Sequence, residues 1–169
     1  MVLTKEELIA ALQNEVRILM HLAGKVDKSK LDYRPTPKQR STMELLQYLS
    51  IMAPLQIGMI KAGTSDRAAL SAAWNPAESA AKAMDFDQLV WAIEKQSDEY
   101  DRLLRDWTEA DFRTEVDLFG RRASRGSLLV TLLLNAHAAY RTQLFCYLKS
   151  CGRDELNTMN LWAGMDGPA

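Results

Sequence analysis

The segment DYRPTPKQRSTMELLQYLS, residues 32–50, carries the clearest signals of the fold. Its two prolines disfavour helix, so we expect residues 32–40 to be extended. Ser41 and Glu44 have the spacing of a capping box, in which a hydroxyl and a carboxylate each accept a hydrogen bond from a free amide at a helix start. Apolar residues then recur every three or four positions to about residue 62, which predicts a long helix with one buried face.

The rest of the chain adds three long helical patterns. They cover about residues 5–25, 85–107 and 127–151. Residues 64–84 are rich in alanine and less regular, so we expect a loop with a short helix over about 77–84. Alternating apolar residues within 113–126 indicate a short extended piece or hairpin. Four long helices predict an all-α, four-helix bundle, with one domain spanning residues 1–169.

The composition limits the classes of partner. The 169 residues include 21 Lys and Arg against 22 Asp and Glu, and a formal net charge of −1 favours binding to neither nucleic acid nor an anionic membrane. We expect neither partner. Charged residues interrupt the first twenty positions, so the pattern is not that of a secretory signal, and we expect a cytoplasmic location.

The sequence contains only two histidines, and one of them lies in a strongly apolar helical pattern. His137 falls within LLLNAHAAYRTQL, residues 132–144. Its imidazole is a candidate for three roles: a hydrogen-bonded core side chain, part of a ligand pocket, or a metal ligand. A metal site in a bundle needs three or more ligands that converge from facing helices, which makes the third role the least favoured.

Two tyrosines form the second candidate pair. Tyr48 lies on the second helix and Tyr140 on the fourth, and each has a large apolar ring with a hydroxyl that needs a partner when buried. They are either ordinary core residues or the facing walls of a pocket. Gln143 lies near Tyr140 and His137 on the fourth helix. We therefore predict a pocket formed by Tyr48, His137, Tyr140 and Gln143.

Residues 32–50, together with YRTQLFCYLKSCG at residues 140–152, resemble the DinB/YfiT-like superfamily. The second segment is similar to the closing signature of that superfamily, in which a histidine precedes Arg-Gly-Gln or a similar triplet, followed by Tyr-Leu-Arg or Tyr-Leu-Lys and a glycine. The resemblance spans most of the chain. It implies an up-down-down-up four-helix bundle that is frequently a homodimer.

Many members of this superfamily bind a divalent metal such as Zn or Ni through three histidines. The resemblance assigns those positions to Tyr48, Ala136 and Tyr140 here, and none of them is a histidine. A phenol with a pKa near 10 is a poor ligand at neutral pH, and alanine cannot coordinate a metal. His137 is one residue out of register, about 100° round the helix. We therefore expect no metal and no other cofactor.

The resemblance implies the fold more firmly than an activity. We expect a metal-free bundle with a degenerate metal site that binds an unknown small molecule or forms dimers. The alternative is an enzyme, a thiol-dependent S-transferase or isomerase acting at a rebuilt site, with His137 as the base and the hydroxyls of Tyr48 and Tyr140 orienting the substrate. A bundle that dimerises through an apolar face and has no pocket is the third possibility.

Overall fold

The structure, a computed structural model, describes residues 3–167 and is all-α apart from one small hairpin. The helices within this range are α1 (Lys5–Ala23), α2 (Thr42–Ala62), α3 (Arg67–Lys82), α4 (Phe86–Leu104), α5 (Glu109–Arg113), α6 (Arg125–Leu128) and α7 (Asn135–Ser150). A π-helical segment, Leu129–Leu134, joins α6 to α7. A single 3₁₀ turn at Lys28–Lys30 and a second π-helical segment at Met159–Ala163 complete the helical elements.

The predicted capping box at the start of α2 is confirmed, and α1 begins with a capping box as well. The Thr4 hydroxyl accepts from the Glu7 amide at 3.1 Å, and the Glu7 carboxylate accepts from the Thr4 amide at 2.7 Å. Ser41 and Glu44 make the same reciprocal pair at the start of α2, at 3.2 and 2.7 Å. Each cap satisfies two amides that would otherwise lack a partner. The starts of α1 and α2 are therefore encoded locally.

The core lies between the four long helices. α4 packs against α1 and α2, and α7 also packs against α1 and α2. The facing side chains are largely leucine and isoleucine and are fully buried; they include Leu12, Leu45, Leu49, Ile93 and Leu133. Burying one such side chain contributes about 1.5–3 kcal/mol. The all-α class is confirmed, whereas the up-down-down-up order stays a prediction.

The expectation of a loop over residues 64–84 was wrong, because α3 occupies most of this range. Asp66 caps the helix by accepting from the Ala69 amide at 2.8 Å. Alanine has the highest helix propensity, and the sequence of α3 contains many alanines. Only Ala81 is buried, and Leu70, Trp74 and Ala77 are half-buried on the same face of the helix.

The segment before α2 turns instead of remaining extended. The Gln39 amide donates to the Thr36 carbonyl at 3.1 Å and closes a turn in residues 32–40. The amide of Thr42 at the start of α2 donates to the Tyr33 carbonyl at 2.9 Å, and that of Met43 to Leu31 at 2.8 Å. These bonds hold the loop against the end of the helix, which fixes the position of the side chains it carries.

The predicted hairpin is confirmed as β1 (Glu115–Leu118) and β2 (Arg121–Ser124), paired antiparallel. Phe119 and Gly120 form its two-residue turn with φ of 57° and 74°. Two positive φ angles in succession are typical of the turn type that matches strand twist.

By length and composition, α2 is the one helix within residues 3–167 that would be able to cross a membrane. Half of its apolar window is buried inside the bundle. A core helix passes the same test, so this finding is weak evidence for a membrane span.

Candidate functional site

A surface cleft lies where α2, α3 and the loop before α2 meet. Its volume is about 360 Å³, and it is called the Tyr48 cleft below. Its lining residues are Arg34, Lys38, Gln39, Arg40, Glu44, Gln47, Tyr48, Ile51, Glu78, Ala81 and Lys82.

One stripe of α2 forms the floor of the Tyr48 cleft. Glu44, Gln47, Tyr48 and Ile51 follow the spacing i, i+3, i+4, i+7, which places them on one face of a helix. The neighbouring stripe of α2 faces the core instead, through Leu45 and the other buried residues of the helix. The helix thus presents apolar residues to the core and a mixed polar and aromatic stripe to the cleft.

The helix α3, of which the sequence predicted only the last part, supplies one wall. Glu78, Ala81 and Lys82 follow the spacing i, i+3, i+4 and line the cleft together. Ala81 is 1 % exposed, and its small side chain lets α3 approach the bundle closely. Trp74, earlier in α3, stacks on the Tyr48 ring with centroids 5.9 Å apart and an angle of 19° between the planes.

The loop before α2 supplies the opposite wall and most of the positive charge. The Arg40 guanidinium lies over the Tyr48 ring, 4.2 Å from its centroid, which is a favourable cation–π contact. Arg34 forms an ion pair with Glu44 at 3.2 Å and donates to the Gln39 carbonyl at 3.2 Å. The Ser41 amide and the Arg34 guanidinium lower the pKa of the Glu44 carboxyl, which therefore stays ionised.

Gln143 lies outside the cleft and is linked to the loop before α2 through Tyr147. Its side-chain amide donates to the Tyr147 hydroxyl, which in turn donates to the Arg40 carbonyl at 2.9 Å. Tyr147 is buried, so this chain of bonds links α7 to the backbone of the loop. The structure thus places Gln143 as a support for Arg40, whereas the sequence analysis placed it in the pocket itself.

Tyr48 and Tyr140 are in contact, as their candidate pairing requires. Their rings meet edge-on with centroids 5.0 Å apart. Burial, followed by the neighbouring Tyr140 phenol, raises the pKa of Tyr48 to about 12, although Arg40 opposes the shift. Tyr140 does not line the cleft and reaches it only through its contact with the Tyr48 ring.

The residues at the three positions assigned to metal ligands do not fit a divalent metal. A phenol whose pKa is raised to about 12 stays protonated at neutral pH, Ala136 offers no donor atom, and the edge-on contact brings the rings of Tyr48 and Tyr140 together. Within residues 3–167, no three side chains of His, Cys, Asp or Glu are grouped as a metal would require.

His137 is not brought into the cleft with Tyr48. It is 1 % exposed, and its Nε2 is hydrogen-bonded to the Tyr100 hydroxyl of α4. Burial and the nearby Arg141 guanidinium lower the pKa of His137 to about 4, so the imidazole is neutral at pH 7. The cause is register, because one residue moves a side chain about 100° round a helix. His137 points into the core, so the enzyme hypothesis loses a base that substrate would be able to reach.

Sequence reasoning missed the charged walls of the cleft. Arg34, Lys38 and Arg40 lay in a segment interpreted only as a proline-containing connection, and Lys82 lay in a helix that was not predicted in full. One signal was present: Glu44, Gln47 and Tyr48 form a polar stripe beside the apolar face of α2.

These features define an all-α bundle with a cationic, partly aromatic surface cleft. No protein-family model matches the sequence, and no curated protein matches it. Four chains among the solved structures do, and two of them are DinB-like proteins from Bacillus species. The DinB-like protein YjoA from Bacillus subtilis shares 21 % identity over 89 % of this chain and 94 % of its own, with a TM-score of 0.65. A DinB-like protein from Bacillus cereus shares 16 % identity over 90 % of this chain and 95 % of its own, with a TM-score of 0.68.

The chain therefore has the fold of the DinB-like proteins. The resemblance drawn from residues 32–50 and 140–152 is confirmed at that level. At these identities the likeness concerns the fold alone.

Proposed function

We propose that this protein is a metal-independent small-molecule-binding bundle and that the ligand occupies the Tyr48 cleft. The observation that carries the proposal is the cleft itself. A volume of about 360 Å³ lies within the range of small-molecule sites, and the lining combines the Tyr48 ring and Ile51 with convergent polar and charged groups. The helix α2 provides the floor with Tyr48, and α3 and the loop before α2 provide the two walls.

The cleft is also held in a defined shape before any ligand arrives. Tyr48 is contacted by Trp74, Tyr140 and Arg40, and the loop that carries Arg40 is anchored through Tyr147. A site ordered in advance loses less conformational entropy on binding. This supports a binding role more than a purely structural role for the same residues.

The proposal is independent of a metal, because the side chains at the implied ligand positions do not suit one. No observation favours the thiol-dependent S-transferase or isomerase, since its only candidate base is sealed beside Tyr100. The homodimer that the resemblance implies is a separate proposal, and sedimentation of the purified protein would test it.

The test is a screen of neutral and charged fragments by two-dimensional amide NMR on the purified chain. We expect some fragments to shift amides of Gln47, Tyr48 and Ile51. The variant Gln47→Trp fills the cleft without changing its charge and should abolish these shifts. Lys61→Trp, at an exposed position of the same helix, should leave them intact.

Thermal unfolding of both variants checks that they remain folded. The proposal fails if no fragment shifts the cleft amides, or if Gln47→Trp binds as the parent does. Elemental analysis of the same preparation tests the metal-independent part, which one tightly bound divalent ion per chain would overturn.

A further inference from the structure

We propose that the ligand of the Tyr48 cleft is a small organic anion whose carboxylate or phosphate group binds to Arg40 and Lys82. This inference rests on the proposed binding function and specifies the chemical class of the ligand. It follows from three observations: the cleft is positively charged, most of its cations are not paired with a carboxylate, and part of its floor is apolar.

The cleft is positive in a chain that is slightly negative as a whole. Four cationic side chains line it, Arg34, Lys38, Arg40 and Lys82, against the two carboxylates Glu44 and Glu78. The formal net charge of the whole chain is −1. A concave surface with one sign of charge concentrates ligands of the opposite sign.

Most of these cations are available to a ligand. Arg34 is engaged by Glu44, and both belong to the capping arrangement at the start of α2. Among the ion pairs formed within residues 3–167, none includes Lys38, Arg40 or Lys82. Three cations and one carboxylate, Glu78, therefore remain to set the local charge.

Arg40 is the group best suited to fix an anion. Its side chain makes no hydrogen bond to another described residue, and its contact with the Tyr48 ring uses none of the guanidinium N–H donors. A guanidinium presents paired donors in a planar fork that matches a carboxylate or a phosphate. The Tyr147 hydroxyl donates a hydrogen bond to the Arg40 carbonyl, which holds the backbone that carries the Arg40 side chain in place.

The floor explains why the anion should be organic. Ile51 and the Tyr48 ring form an apolar part of the floor between the charged walls. An inorganic ion would leave that surface in contact with water, whereas a ligand with an apolar body would cover it. The volume of about 360 Å³ also exceeds what a bare ion needs.

The experiment compares charged and neutral probes of one shape, using amide NMR titrations of the full chain. The anionic probes are benzoate and phenyl phosphate, and the neutral probe is benzamide. We expect both anions to bind on the order of tenfold more tightly than benzamide. Added salt should weaken the binding of the two anions and leave the binding of benzamide unchanged, because salt screens only the interactions between charges.

Three variants locate the effect. Arg40→Gln and Lys82→Gln should each weaken the binding of benzoate several-fold more than they weaken the binding of benzamide. Arg67→Gln removes the same charge from an exposed position of α3 outside the cleft and should change neither. Thermal unfolding confirms that each variant is folded, so a loss of binding would not reflect a loss of structure.

The outcomes separate the two proposals. If benzamide shifts the cleft amides as strongly as benzoate does, the small-molecule site stands and the anion inference is overturned. The anion inference is equally overturned if Arg67→Gln weakens benzoate as much as Arg40→Gln and Lys82→Gln do. If neither these probes nor the fragment set shifts the cleft amides, the proposed function itself fails.

Discussion

Acid should destabilise this protein through one buried side chain, His137. The perturbation is a fall in pH from about 7 to about 4. The unfolded chain protonates this imidazole near its ordinary pKa of 6.5, whereas in the folded state burial and Arg141 lower the pKa to about 4. Between these values the unfolded state binds the proton and the folded state does not, so stability is present above pH 6.5 and is lost as the pH falls.

The size of the effect follows from the two pKa values. Each pKa unit corresponds to about 1.4 kcal/mol, so the full difference is worth about 3 kcal/mol of the free energy of unfolding. The side chain is 1 % exposed, so solvent does little to screen it. A domain of this kind has a stability of about 5–15 kcal/mol, and the loss would be a large part of it.

The assay is urea unfolding, followed by circular dichroism at a series of pH values, for the parent and for His137→Gln. Glutamine has both a donor and an acceptor with which to hydrogen-bond to the Tyr100 hydroxyl, but it does not titrate. The parent should lose about 3 kcal/mol more than the variant between pH 7 and pH 4. Tyr100, Arg141 and Glu15 surround this region from α4, α7 and α1, and their contributions are shared by both proteins.

His21→Gln provides the matched control. Burial also lowers the pKa of His21, but Asp166 opposes the shift and the side chain is partly exposed. Its variant should therefore follow the parent more closely. If the curves of the parent and His137→Gln stay parallel from pH 7 to pH 4, the imidazole is not held neutral in the core, and the reasoning is refuted.

Two further changes test the core and a helix end by chemical denaturation. Arg141→Met leaves Glu15 without the buried guanidinium that lies 3.2 Å from it and should cost about 3 kcal/mol. Adding Glu15→Gln should recover much of this loss, and a double variant no more stable than the single one would contradict the pairing. Gly63→Ala should cost about 1–2 kcal/mol or more, because φ is +65° and a Cβ would lie 2.7 Å from the Val116 side chain. Gly58→Ala, on the same helix with open space around it, should instead stabilise by up to about 1 kcal/mol, and equal effects at the two sites would refute the argument.

The sequence predicted those parts of the fold whose signals are local. Ser41 and Glu44 mark the start of α2, and the capping hydrogen bonds form as expected. Only the last part of α3, over about residues 77–84, was predicted as a helix. Leu70, Trp74, Ala77 and Ala81 do share the spacing of one helical face, and they are the more buried side of α3. Two of these four residues are alanines in a segment that is rich in alanine, so the stripe is hard to distinguish in the sequence.

The candidate site was predicted in part for a related reason. Tyr48 and Tyr140 were paired correctly, since both lie on long helices whose register the sequence defines. His137 was placed wrongly beside them, because a difference of one residue in register decides whether a side chain faces the core or the α2 side of α7. The cationic walls depend on a loop turn and on α3, and their convergence on Tyr48 is a tertiary effect that periodicity does not carry.

The contact between Tyr48 and Tyr140 relates the positions that the resemblance assigns to metal ligands to the position of the cleft. The resemblance assigns metal ligands to these two positions, and here their rings pack against each other between α2 and α7. Tyr48 therefore belongs to both the aromatic contact and the cleft. Tyr140 packs against one side of the Tyr48 ring, and the other residues of the cleft surround the rest of that ring. A ligand therefore has to approach Tyr48 from α3 and the loop, where Arg40 and Lys82 lie. The aromatic pair that suits no metal thus supports the surface on which, in the proposed function, Arg40 and Lys82 bind the ligand.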